Sequence, residues 1–144
     1  MDSILVAVDG SKHSEKVVDY AASLAKALSA KILLVNIPPD LSIPEGYKQY
    51  AKVERSEPEN YFEEVSEGIL RDLGDRIRKS KVQYEPVTGG GPVAKSILDI
   101  AKMRRVSLIV VGIYGLHRVA KVRALGSNAR RILESSDIPV VAVP

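Results

Sequence analysis

Ser107-Leu108-Ile109-Val110-Val111-Gly112-Ile113-Tyr114-Gly115 is the stretch whose reading decides the fold. Its apolar run has no polar alternation and feeds straight into a glycine, with a second glycine three residues on. A basic ten-residue stretch follows, then Gly126-Ser127 and a helix-period segment. A short, β-branched, unbroken apolar run suits a strand buried on both faces, as in a parallel sheet. Strand, glycine-punctuated loop and helix start together form a geometry for holding phosphate. Glycine lets the backbone approach an anion, and the helix N-terminus supplies free N–H groups and a positive dipole end. The ligand class this predicts is a nucleotide.

Working outward, apolar strand-like runs alternate with helix-period runs along the chain. The predicted strands are Ser3–Val8, Lys31–Ile37, Val82–Thr88, Ser107–Gly112 and Pro139–Val143. The third alternates and carries Pro86, which suits an edge strand. The first helix is predicted to start at Ser14 as N-cap, with Val17, Val18, Ala21, Leu24, Ala25 and Leu28 as its buried stripe. The second spans Asn60–Lys79, with Phe62, Val65, Ile69, Leu73 and Ile77 on one face. The third opens at Pro92, a favoured first-turn residue, and buries Val93, Ile97, Ile100 and Ala101. The fourth starts near Ser127, buries Ala129, Ile132 and Leu133, and stops before Pro139.

This βαβαβαβαβ pattern implies one α/β domain over 1–144, a parallel sheet with helices on both faces. Five strands allow the order 2-1-3-4-5 or the order 3-2-1-4-5. The second puts the Pro86 strand on an edge and places strands 1 and 4 side by side at a switch point. Ligands bind outside the carboxyl ends of strands at such a point. Those ends are Val8-Asp9-Gly10-Ser11 and Gly112, so two features converge on one crevice. Asp9 there either caps the turn or directs its carboxylate to ribose hydroxyls or a metal. Segment Pro38–Pro58 has four prolines and no clear period; a loop of about twenty residues is unusual in a compact domain, so it reads as a lid or a surface excursion.

Composition narrows the chemistry. There is no cysteine, which excludes disulfides, thiolate catalysis and cysteine-ligated metals. No apolar run approaches the ~20 residues of a membrane span, and the first residues lack the charged segment of a signal peptide. A cytoplasmic protein without membrane contact is expected. The net charge of +3 hides an asymmetry: residues 1–72 carry −5 and residues 73–144 carry +8. The basic half holds the glycine loop, as an electrostatic funnel for an anion would. Few aromatic residues and no recognition motif make a nucleic-acid partner unexpected.

Other nucleotide motifs fail. No GxxxxGK[ST] is present. Gly89-Gly90-Gly91-Pro92-Val93-Ala94 fits a loose GxGxxA fingerprint, but Pro92 removes a donor and no acid ends the next strand. A tight turn with close backbone approach to a ligand is the better reading. His13 and His117, the only histidines, make a poor metal pair, and His13 is expected on the surface.

The chain resembles a universal stress protein of the adenine-nucleotide-binding type. The likeness is carried over the whole length by Val8-Asp9-Gly10-Ser11 with Ser14, by Gly112, and by Gly126-Ser127 before the Ile138-Pro139-Val140-Val141-Ala142-Val143-Pro144 ending. The family's G-x2-G-x9-G-[ST] becomes Gly112-x2-Gly115-x10-Gly126-Ser127 here, one residue longer. The resemblance implies the 3-2-1-4-5 sheet and an ATP site with Mg2+. Asp9, with Ala7, Val8 and Ser11, would lie at the ribose or adenine side, and Ile37 would offer the backbone that pairs with adenine. Val111 would pack near the ribose or base, and Gly112 and Gly115 would lie under the ribose and first phosphate. Gly126, Ser127 and Asn128 would take the later phosphates, with Arg118 supplying charge. The extra loop residue bears on the phosphate contacts rather than on the adenosine contacts.

The resemblance also implies a homodimer through strand 139–143, which would cover an otherwise unpaired edge. No residue is evident as a general base, so ATP hydrolysis is expected to be slow at most. Three functions remain open on the sequence: a nucleotide-dependent switch in a stress response, an interaction dimer of the same fold that binds no nucleotide, and a slow ATPase.

Overall fold

The computed structural model describes residues 2–38, 58–114 and 125–144. In chain order they form β1 Ser3–Ala7, α1 His13–Leu28, β2 Lys31–Asn36, α2 Pro58–Lys79, β3 Tyr84–Thr88, α3 Val93–Met103, β4 Leu108–Gly112, α4 Ser127–Ser135 and β5 Val140–Val143. All pairings are parallel, and the sheet order is β3-β2-β1-β4-β5. That order settles the choice the periodicity left open and puts β1 beside β4.

The strands bury alternate residues into two layers, as the pleat requires. Ile4, Val6, Ile32, Leu34, Leu108 and Val110 pack with α1 and α2. Leu5, Leu33, Val35, Ile109 and Val111 pack with α3 and α4. Runs buried on both faces explain why these strands read as unbroken apolar segments. Among the described residues no helix is long and apolar enough to cross a membrane.

Pro86 lies on an edge strand, and the ladder shows why it fits there. Ile32 N–H donates to Gln83 O at 2.9 Å, with Ile32 opposite Tyr84 and Leu34 opposite Pro86. Residues 83, 85 and 87 therefore bond inward, and the main-chain groups of 84, 86 and 88 face the free edge, where a missing N–H costs nothing.

Three expected positions are corrected. Val65 is 42% exposed and Leu133 40% exposed. Of the expected α2 stripe, Leu73 and Ile77 are buried and Ile69 packs against the core, while Val65 turns out and Ser66 and Leu70 take inward positions. A buried serine stands where hydrophobicity alone selects its neighbour Val65. Leu133 adjoins buried Ile132 on α4 and is rotated out of the core by the helical step. Ser14 is not an N-cap: α1 begins at His13 with Lys12 at the cap, and the Ser14 hydroxyl serves the neighbouring turn instead.

Candidate functional site

The site assembles at the carboxyl ends of the strands. β1 stays in register beyond Ala7, with Val8 N–H donating to Val35 O at 2.9 Å. The chain then turns on Asp9. Its Oδ1 accepts Ser11 N–H at 2.9 Å and the Ser14 hydroxyl at 3.0 Å, while Asp9 N–H donates to Ser14 Oγ at 3.3 Å. This Asx-type turn brings the next residue, Gly10, to φ +82°, where a side chain would be strained. A Cβ there would also meet Ile69 Cδ1 at 2.6 Å. Asp9 thus caps its turn with one oxygen, and Oδ2 has no partner among the described residues. Ser11 Oγ is buried without a hydrogen-bond partner, an arrangement that asks for an oxygen or nitrogen from outside the chain.

The β4 flank meets this turn through the pairing of Ala7 with Val111. Val111 is buried, and Gly112 follows it. Gly112 is small because of His13: a Cβ at 112 would lie 2.8 Å from His13 Cδ2 and 3.0 Å from Val17 Cγ2. His13 is half-buried rather than on the surface. Its Nε2 is 2.9 Å from Val143 O, which can only accept, so the imidazole is the donor. Tyr114 meets the same ring edge-on, with centroids 5.4 Å apart.

The start of α4 is tied to β4 by Gly126 N–H donating to Ile113 O at 2.8 Å. Gly126 is the N-cap residue, and no side chain caps the helix. The amide of Gly126 is therefore engaged, and the first-turn amides of Ser127, Asn128 and Ala129, which precede the Arg130 N–H to Gly126 O bond, have no partner among the described residues and could meet an anion. Ser127 is the first helical residue rather than the cap. In the Gly89–Pro92 turn Gly90 and Gly91 have open space where a Cβ would stand, and Gly89 is packed from inside. A Cβ at Gly89 would meet Ile37 Cδ1 and Ser96 Oγ, each at 2.9 Å.

On the β2 flank Ile37 is buried next to the Val8 strand end. Beside it lies a feature the sequence reading missed. Asn36 Nδ2 donates to Val8 O at 2.8 Å, and Ser66 Oγ donates to Asn36 Oδ1 at 2.7 Å. Asn36 is 4% and Ser66 2% exposed. Their one sequence signal is polarity at positions whose period points inward.

Ala7, Val8, Asp9, Ser11, Ile37, Val111, Gly112, Gly126, Ser127 and Asn128 are thus gathered at one end of the sheet. Gly115, Arg118, His117, Lys121 and Arg123 lie outside the described residues, as do residues 39–57 of the expected lid Pro38–Pro58. Among the described residues no cluster of three metal-ligating side chains occurs.

The fold defines a class: an open, doubly wound α/β protein whose candidate site lies at the switch point between β1 and β4. The universal stress protein family profile matches residues 1–144, and the chain belongs to that family. It is 31% identical over 149 residues to universal stress protein YxiE of Bacillus subtilis, covering 99% of this chain and 98% of that one. A universal stress protein solved in complex with cAMP is 26% identical with a TM-score of 0.67, covering 99% and 95% of the two chains. The universal stress protein of Archaeoglobus fulgidus in complex with dAMP has a TM-score of 0.73 at 23% identity, covering 100% and 98%.

Proposed function

We propose that this protein binds an adenine nucleotide, ATP first among them, in the crevice at the carboxyl ends of β1 and β4, and works in the cytoplasm as a nucleotide-dependent switch in a stress response. The observation that carries this is the meeting of three ligand-ready groups on one sheet end. These are the buried, unpartnered Ser11 hydroxyl and, without a partner among the described residues, Oδ2 of Asp9 and the amides opening α4. The cAMP and dAMP complexes of the structural relatives support the same ligand class. In this reading Mg2+ would share the charge of the phosphates, and Asp9 Oδ2 would be the carboxylate oxygen offered to it.

Calorimetric titration with ATP and Mg2+ tests the reading. Saturable binding is expected, and no binding up to millimolar nucleotide at low salt would refute it. Gly126→Val should abolish binding, because a β-branched residue at that cap blocks close approach of a phosphate.

We also propose that two copies pair along β5. The carbonyls of Pro139 and Val143 accept from Ile109 and Ile113, so the main-chain groups of Val140 and Ala142 face the open edge. Ala142→Pro removes an edge donor and should yield monomers in sedimentation. A second reading, an interaction dimer without nucleotide, is favoured by the extra loop residue and the engaged Gly126 amide. It requires indifference to Gly126→Val.

A further inference from the structure

We propose that Asn36 and Ser66 are positioning residues that end the β1–β2 ladder one rung early and so present the Ile37 main chain to the base of the bound nucleotide. The proposal rests on the nucleotide reading above for its ligand and on the ladder for its geometry.

The rungs of a parallel pair repeat every second residue. Lys31 N–H donates to Asp2 O at 3.1 Å, and Val8 N–H donates to Val35 O at 2.9 Å. The next rung of the same series would run from Ile37 N–H to Val8 O. That carbonyl is taken instead by the Asn36 side chain. β2 accordingly ends at Asn36, one residue short of the apolar run. Among the described residues, the Ile37 N–H and C=O have no hydrogen-bond partner.

A main-chain donor and acceptor without a partner among the described residues, on a residue only 5% exposed, need a reason. Stability does not supply one. An apolar residue at 36 would let Ile37 close the rung and would bury neither an amide nor a hydroxyl. The interior polar pair is fully satisfied, which is the condition under which such a network fixes one geometry. Ser66 orients the Asn36 amide by giving its hydroxyl proton to Oδ1, which leaves Nδ2 facing Val8 O.

Ile37 itself is held from other directions. Its Cδ1 packs so closely on the Gly89 backbone that a Cβ there would sit 2.9 Å away. Pro38 restricts Ile37 to an extended conformation and carries no N–H to continue the strand. The resemblance places adenine against this main chain, and a neighbouring N–H and C=O suit its N1 acceptor and N6 donor. Guanine carries an acceptor and a donor in the exchanged order, so in the same pose it would set donor against donor and acceptor against acceptor.

The test is amide hydrogen exchange at Ile37 in the intact chain, with and without ATP, together with ATP and GTP affinities. In the unsubstituted protein the Ile37 amide should exchange readily and become protected by ATP. In Asn36→Leu it should be protected without nucleotide, having taken Val8 O. ATP affinity and the ATP-over-GTP preference should then both fall about tenfold, the equivalent of roughly one net hydrogen bond. Ser66→Ala should shift both readouts in the same direction by less, and Ser66→Thr, which keeps the hydroxyl, should restore them. The Ser66 pair carries the test alone if Asn36→Leu does not fold. Unchanged Ile37 exchange and an unchanged ATP-over-GTP ratio in Asn36→Leu or Ser66→Ala would overturn the proposal. If no nucleotide binds the unsubstituted protein yet exchange shifts as described, the ladder device stands and the nucleotide reading alone falls.

Discussion

Two side chains cap strand-end carbonyls at the same end of this sheet, on opposite sides of β1. On the β2 side Asn36 Nδ2 meets Val8 O at 2.8 Å. On the β5 side His13 Nε2 meets Val143 O at 2.9 Å. The bonds are similar in length and different in kind. Asn36 stands where a ladder rung would be, in a buried pocket, and is itself held by Ser66. His13 adds a second donor to a carbonyl that already accepts Ile113 N–H at 2.9 Å. A substituted rung, when lost to an apolar residue, passes its carbonyl to the Ile37 amide and changes the ladder, whereas an added one leaves both its carbonyl and its ladder as they were. One flank of the crevice is therefore specified by a buried polar network and the other by packing around a glycine.

The largest effect that would break this contrast is expected from Asn36→Asp. A carboxylate would face Val8 O in the interior with no donor to give. Urea denaturation should show a loss of about 3–5 kcal/mol at neutral pH. Burial holds such a carboxyl's pKa up, so the loss appears as pH rises through that raised value. Acidification restores a proton for Val8 O and should recover part of the stability. Equal stability at pH 4 and pH 8, or a loss no greater than for His13→Ala, would remove the distinction between the flanks.

Next comes Gly112→Ala, whose Cβ would meet His13 at 2.8 Å and Val17 at 3.0 Å. Overpacking of this kind costs about 1–3 kcal/mol. His13→Ala in the same chain should relieve much of it, giving a coupling of more than about 0.5 kcal/mol in a double-mutant cycle. Additive losses would show that the glycine is small for some other reason. His13→Ala alone should cost about 1 kcal/mol and speed amide exchange along β5 more than along β2.

The smallest effect is expected far from either flank, at an exposed contact on β3. Arg104, hydrogen-bonded at 2.6 Å, and Lys31 at 3.3 Å hold the Glu85 carboxyl below its ordinary value of 4.5. A carboxyl whose pKa is lowered on folding contributes stability above its unfolded value and loses it as pH falls through the folded one. Glu85→Gln should therefore slightly flatten the acid limb of stability against pH and leave neutral stability nearly unchanged, because exposed pairs contribute little. A large loss at neutral pH would mean that this edge, too, is pinned by side chains.

Much of the site was legible in the sequence because glycine and turn chemistry leave signatures there. Val8-Asp9-Gly10-Ser11 announces a tight turn after a strand, and Gly126-Ser127 announces a helix start. The strands themselves were legible because burial on both faces makes unbroken apolar runs. Asn36, Ser66 and His13 were not legible. A polar residue in a core register reads as an interruption until its partner is known, and these partners lie 28, 30 and 130 residues away. The same blindness misplaced one position of the α2 stripe, where Ser66 points inward and Val65 faces out.

By itself the sequence determined the element order, the parallel sheet and the residues that end β1 and β4, because periodicity and turn preference are local properties of the chain. Only the tertiary structure decided which carbonyl each buried polar side chain caps, where the β1–β2 ladder stops, and why Gly112 must be small. Those outcomes depend on groups brought together across the fold, where desolvation makes every unpaired donor or acceptor costly and so fixes the partners.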